Sequence, residues 1–155
     1  MTPVVIILLT YARTEYALRT IAAARRHLIY PELYWYVADD GSSAEHFAAV
    51  IGALDGAMIV GQHSERVGYG NSANTAWNTS LTYSAFSLWL EDDWELRGPL
   101  DLEPYVKIMQ DNHDVGIVRL AYLPIGLDCH TLGYDGQLYL RILRTRQYSF
   151  SGNPS

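Results

Sequence analysis

"VVIILLTYARTEYALRTIAAARRHL", residues 4–28, changes its period partway along, and that change decides the fold. Residues 4–9 form an unbroken run of β-branched and aliphatic side chains. A strand with one wet face alternates apolar and polar residues. A run without polar interruptions reads as a strand buried on both faces, the mark of a parallel sheet. From Glu15 onward the apolar positions are Ala17, Leu18, Ile21, Ala24 and Leu28, the spacing of one helix face. Thr14 is the expected N-cap, and Pro31 ends the segment.

The same alternation continues. Residues 33–38, rich in aromatics and valine, read as a second strand, broken by "DDGSS" before a helix over 44–54. A third strand is expected at 57–60, a helix at 71–83 and a fourth strand at 86–90. A helix at 102–112 and a fifth strand at 115–120 follow. This order calls for an α/β fold, a doubly wound and mostly parallel sheet with right-handed crossovers. From residue 121 the texture changes, and Tyr134-Asp135-Gly136-Gln137 reads as a hairpin turn between antiparallel strands. The expected organisation is one domain overall, with an α/β region over 1–120 and a β-rich C-terminal flap over 121–155. The closing "SFSGNPS" is a loop signal, so the chain is expected to be a piece of a longer domain.

Bulk properties narrow the function. At 155 residues, 49% hydrophobic and 18% charged, the chain can bury a sizeable core. Its net charge of −6 offers no basic face, so nucleic acid and anionic lipid are not expected partners. An anionic ligand needs local help from a cation, a helix N-terminus or a metal. The single cysteine, Cys129, leaves no internal disulfide. Residues 4–9 are too few for a membrane span, and a cytoplasmic location is expected.

Ligands of open α/β sheets bind beyond the carboxyl ends of the strands, near the point where strand order reverses. Two acidic clusters fall at such ends: Asp39-Asp40 after the second strand, and Glu91-Asp92-Asp93 after the fourth. Burying three adjacent carboxylates unpaired costs several kcal/mol each. Water can keep them company, in a plain solvated turn. So can a divalent cation, which prefers hard oxygen ligands and in turn holds a diphosphate.

"VVIILLTYARTEYALRTIAA", "YVADDGSS" and "LWLEDDWEL" together resemble the nucleotide-sugar-binding half of a family 2-type glycosyltransferase with the GT-A (Rossmann-like) fold. The resemblance covers roughly residues 3–120, and the acidic triplet about fifty residues after Asp-Asp-Gly-Ser makes it more specific than either motif alone. It implies transfer of a sugar from a nucleoside diphosphate sugar, a UDP- or GDP-sugar, to a carbohydrate or glycoconjugate acceptor, with inversion and with Mn2+ or Mg2+. By position, Thr10, Tyr11 and Arg13 match the first loop, which meets base and ribose. Asp39 and Asp40 match the nucleoside-contacting pair. Asp93 matches the metal ligand, Glu91 the first acid of the triplet, and Asp92 a contact to ribose or metal. Gly68 and Asn74 match the loop and helix before the triplet. There the family's usual arginine is replaced by alanine or serine, and Arg66 is the candidate substitute. No general base is named, because that residue lies after the flap in the family.

A rival motif is present. Gly68-Tyr69-Gly70-Asn71-Ser72-Ala73 fits the dinucleotide pattern G-x-G-x-x-[GA], with an acidic group some twenty residues on. It belongs in a tight turn directly after a strand, and here the polar "GQHSER" intervenes. A nicotinamide-dependent enzyme and a non-catalytic nucleotide-sugar binder are the alternatives. His27, His46 and His63 read as surface or capping residues.

Overall fold

The computed structural model describes residues 2–54, 58–118 and 120, and the backbone of 129–134 and 137–142. The chain divides into two compact units, Met1–Asp101 and Leu102–Ser155.

In the first unit, β1 (Val4–Thr10) is buried at all seven positions and is followed by α1 (Thr14–His27), then a two-residue strand β2 (Leu28–Ile29). Next come β3 (Leu33–Asp39), α2 (Ala44–Ala53), β4 (Met58–Gln62), α3 (Tyr69–Ser80), β5 (Phe86–Glu91) and β6 (Leu100–Asp101). Four strands make one parallel sheet in the order β4-β3-β1-β5, while β2 and β6 pair in parallel apart from it. The two short strands carry too few residues to show a period, and the sequence reading missed them.

The uniform run in β1 is explained by its place. It lies between β3 and β5, with Leu8 opposite both Val37 and Leu90, so side chains on each face meet helices. On one face Ile6 and Leu8 pack with Ala17, Ile21 and Ala24 of α1, Trp35 and Val37 of β3, and Val50 of α2. On the other, Val5, Ile7 and Leu9 pack with Tyr36, Ala38 and Ala76 of α3. The sheet is doubly wound, as its pattern predicts. Truncating a fully buried residue such as Leu8 to Ala costs on the order of 2–5 kcal/mol.

One cap differs from expectation. Arg13 holds the N-cap position of α1 without a side-chain cap bond, and Thr14 is the first helical residue. The Thr14 hydroxyl is taken instead by His46.

The second unit contains α4 (Glu103–Asp111), with proline in its first turn, and an antiparallel pair, β7 (Cys129–Tyr134) and β8 (Gln137–Ile142). Tyr134 pairs with Gln137, as the Asp-Gly signal predicts; the turn itself and the remainder of the expected flap lie outside the described residues. The fifth strand expected at 115–120 is not formed by its described residues. Val115 is buried with Ile108, and Val118 packs there with Tyr105 and Met109. Residues three apart are thus drawn to one apolar patch on α4, an arrangement that a strand's alternation would prevent.

Candidate functional site at the strand ends

The sheet order places β1 where the chain reverses direction, with β3 and β4 built outward on one side and β5 on the other. Its carboxyl end lies level with theirs: Thr10 pairs with Asp39, and Leu9 with Glu91. The Asp40 N–H donates to the Thr10 carbonyl at 3.1 Å, tying two strand ends together. Three segments therefore converge, 10–14, 39–46 and 91–93.

The acidic triplet closes in a tight turn, with the Trp94 N–H donating to the Glu91 carbonyl at 3.1 Å. Adjacent turn residues point apart, so Asp92 turns inward and Asp93 outward. Asp92 is buried, and neither of its oxygens is idle. Oδ2 lies 3.4 Å from both the Thr10 hydroxyl and the Tyr11 N–H, and Oδ1 takes the Arg13 guanidinium. The Thr20 hydroxyl donates to the Asp92 carbonyl at 2.9 Å, pinning the turn to α1. A carboxylate can be tolerated in the interior only with such donors.

Asp39 is completely buried. It accepts from the Ser42 N–H at 3.0 Å, from the Ser42 hydroxyl and from Gln62 at 3.4 Å. His46 Nε2 lies 3.8 Å from Asp39 and 2.9 Å from the Thr10 hydroxyl, while Nδ1 lies 2.9 Å from the Thr14 hydroxyl. With the Thr10 proton turned to Asp92, the Thr10 oxygen accepts from Nε2–H, and Nδ1 then accepts from Thr14. Asp39, His46, Thr10 and Asp92 form one buried chain across three segments.

Asp40 is also buried, and its Oδ1 accepts from the Val67 and Gly68 N–H groups at 2.9 and 3.0 Å. It thereby fixes the loop that leads into α3. The loop comes so close that a Cβ on Gly41, itself at φ 81°, would meet the Glu65 carbonyl carbon at 2.4 Å. Only glycine allows this approach. Arg66, on the same loop, reaches to 3.8 Å from Asp40 Oδ2 and lies over the Tyr11 ring at 4.5 Å. Six residues separate β4 from α3, and the Gly68 N–H is committed to Asp40, so this glycine-rich segment is not the tight turn of a dinucleotide site.

The rim is different. Glu91 is half-buried and accepts from the Tyr69 hydroxyl at 3.1 Å. Burial, then the Glu91 charge, raises the Tyr69 phenol above its ordinary value. Asp93 is 39% exposed and bonds Arg13 at 3.0 Å. That bond and the Asp92 charge raise the Arg13 pKa further. The chain reaches Arg13 through Ala12, whose φ of 56° is in the left-handed region, at a cost of roughly 1–2 kcal/mol. The Ala12 N–H donates to Ser42 Oγ at 2.9 Å, which holds this turn.

Among the described residues no group of three His, Cys, Asp or Glu side chains is set to hold a metal ion by itself. Mg2+ and similar ions commonly take one or two carboxylates and complete their shell with water and substrate phosphates. Glu91 and Asp93, hard oxygen donors on the rim, fit that role; Asp92, closed in by its donors, does not.

Of the residues singled out from sequence, Thr10, Tyr11, Arg13, Asp39, Asp40, Gly68, Asp92 and Asp93 are joined by these contacts, with Glu91 beside them. Asn74 lies exposed on α3 and takes no part in the described bonds. Sequence reasoning missed His46 and Ser42. His46 stands one helical turn before Val50, on the buried side of α2, and that spacing was the available signal.

No known family model matches the chain, and no curated protein sequence matches it. Solved structures do. A mannosyltransferase from Pyrobaculum calidifontis, PcManGT, solved with GDP-Man and Mn2+, is 20% identical with a TM-score of 0.51, over 63% of this chain and 29% of that one. TarS of S. aureus is 18% identical with a TM-score of 0.59, over 83% of this chain and 24% of that one. The chain thus spans less than a third of either protein. At such low identity the likeness establishes the fold: a Rossmann-like α/β arrangement shared with a glycosyltransferase.

Proposed function

We propose that the strand-end site binds a nucleoside diphosphate sugar and belongs to a glycosyltransferase that passes the sugar to a carbohydrate or glycoconjugate acceptor, inverting the anomeric centre. The carrying observation is that side chains from three segments, Thr10, Asp39 and Asp92 with His46 between them, are locked together at the switch point of a parallel sheet. So rigid a cradle of charge holds a ligand in register.

In this reading Thr10, Tyr11, Asp39 and Asp40 form the nucleoside end, with Arg66 over Tyr11 as the cation facing the ligand. Gly68 and Asn74 border it, Asp92 and Arg13 stand beneath the ribose and phosphates, and Mn2+ or Mg2+ would be held by Asp93 with Glu91. The ion would neutralise charge on the departing diphosphate. Residues 1–120 are the nucleotide-sugar half, and 121–155 begin the acceptor region. Among the described residues no helix is long and apolar enough to cross a membrane.

A thermal-shift panel of UDP, GDP, dTDP, CDP and NADH, each with and without Mn2+, tests this. One nucleoside diphosphate should raise the melting temperature, more so with Mn2+; saturation at 100 Kd adds about 2.7 kcal/mol of stability. A shift with NADH alone would put a dinucleotide enzyme in its place.

A further inference from the structure

We propose that Arg13 stands in for the divalent cation in the ligand-free protein and yields Asp93 when that cation arrives. The inference rests on the reading that the site takes a diphosphate together with a metal.

The two carboxylates under the Arg13 fork are not equivalent. Asp92 is buried and held at its other oxygen by the Thr10 hydroxyl and the Tyr11 N–H, so it cannot turn away. Asp93 projects from the outer side of the same turn, and Arg13 is its described partner. Arg13 is itself half exposed and lies 5.7 Å from the Tyr16 ring, a second place for the guanidinium to rest. It can therefore keep its bond to Asp92 and give up the one to Asp93. A planar fork is suited to bridging two carboxylates in this way, and an ammonium is not.

The exchange needs little energy. An exposed ion pair is worth no more than about fivefold in an equilibrium constant, so a divalent ion bound by Asp93, Glu91 and a diphosphate displaces it readily. In the free protein the guanidinium stops Asp93 and Asp92 from repelling one another. With the ion in place, the released N–H groups would be free to donate to a phosphate oxygen. Arg13 thus makes metal and nucleotide binding interdependent.

Isothermal titration of Mn2+ alone into the folded chain, at low ionic strength, tests this on wild type, Arg13→Gln and Arg19→Gln. Arg19 pairs with Glu95 nearby, so its variant removes the same charge without freeing Asp93. Arg13→Gln should bind Mn2+ about three- to tenfold more tightly than wild type, and Arg19→Gln within about twofold. Arg13→Lys, tested in case the glutamine variant misfolds, should also bind more tightly than wild type. Equal gains in Arg13→Gln and Arg19→Gln, no gain in Arg13→Gln, or no Mn2+ binding by any of them would overturn the proposal. Titrating UDP and GDP with Mn2+ into wild type tests the functional reading by itself. If neither nucleotide binds while Mn2+ still separates the variants, the nucleotide reading fails and the role of Arg13 stands.

Discussion

The acids after β3 and the acids after β5 look alike in sequence and behave differently in the fold. Asp39 and Asp40 both turn inward, and their oxygens are met by backbone N–H groups, a serine and a glutamine. The triplet after β5 splits. Asp92 joins the buried network, whereas Glu91 and Asp93 stay on the rim with long side chains, Tyr69 and Arg13, as their partners. An acidic motif is therefore part scaffold and part ligand face. Burial together with the type of donor separates the two parts.

Substituting members of each part should break or sharpen this contrast. The largest effect is expected for Asp92→Ala, which leaves the Thr10 hydroxyl, the Tyr11 N–H and the Arg13 fork without their shared acceptor. Hydrogen bonds to a charged group are worth about 1.5–3 kcal/mol each, and Arg13, half exposed, recovers hydration. A net loss of about 3 kcal/mol in urea unfolding follows. Asp40→Ala frees the Val67 and Gly68 N–H groups in a loop that water reaches, so about 2 kcal/mol is expected. A loss under about 0.5 kcal/mol in either variant would mean that these acids are not scaffold.

His46→Phe comes next. The ring fills the same space but leaves the buried Thr10 hydroxyl and the half-buried Thr14 hydroxyl each short of a partner. The expected loss is about 1–2 kcal/mol, since a typical neutral hydrogen bond nets about 1 kcal/mol. Thr14→Val in the same background should then cost almost nothing more, because the two residues share one interaction. Full additivity of the two losses would show that His46 does not act through Thr14.

The sheet was legible in the sequence because burial on both faces leaves a pattern: residues 4–9 could hardly be anything else. The order of elements and the two acidic strand ends followed from the same periodicities. The region 115–120 was misread because Val115 and Val118 answer to an apolar patch on α4, and a run of six residues is too short to separate three-residue from two-residue spacing. The split within the triplet was invisible as well. Glu91, Asp92 and Asp93 differ little in chemistry, and only the turn that closes on Glu91 sends one inward and the next outward. His46 was passed over because a polar ring on a helix reads first as a surface or capping group, and its spacing to Val50 places it on the buried side of α2 without naming its partners.

The smallest stability effect is expected for Asp93→Ala, beside the residue expected to have the largest. Asp93 is 39% exposed, and its bond to Arg13 is an exposed ion pair, worth about 0.2–1 kcal/mol. Removing it also removes repulsion between adjacent carboxylates, which acts in the opposite direction. The two terms nearly cancel, and the unfolding free energy from urea titration should change by less than about 0.5 kcal/mol. Ligand response should move instead: whatever extra stabilisation Mn2+ gives a bound nucleoside diphosphate in wild type should vanish in Asp93→Ala, with the metal-free part retained. The same pair of measurements on Asp92→Ala should show the reverse order, a large loss of stability first. If Asp93→Ala unfolds as readily as Asp92→Ala, both acids are scaffold and the rim has no ligand face. If it is stable and keeps its full Mn2+ response, the cation is held elsewhere, and Glu91 is the next residue to remove.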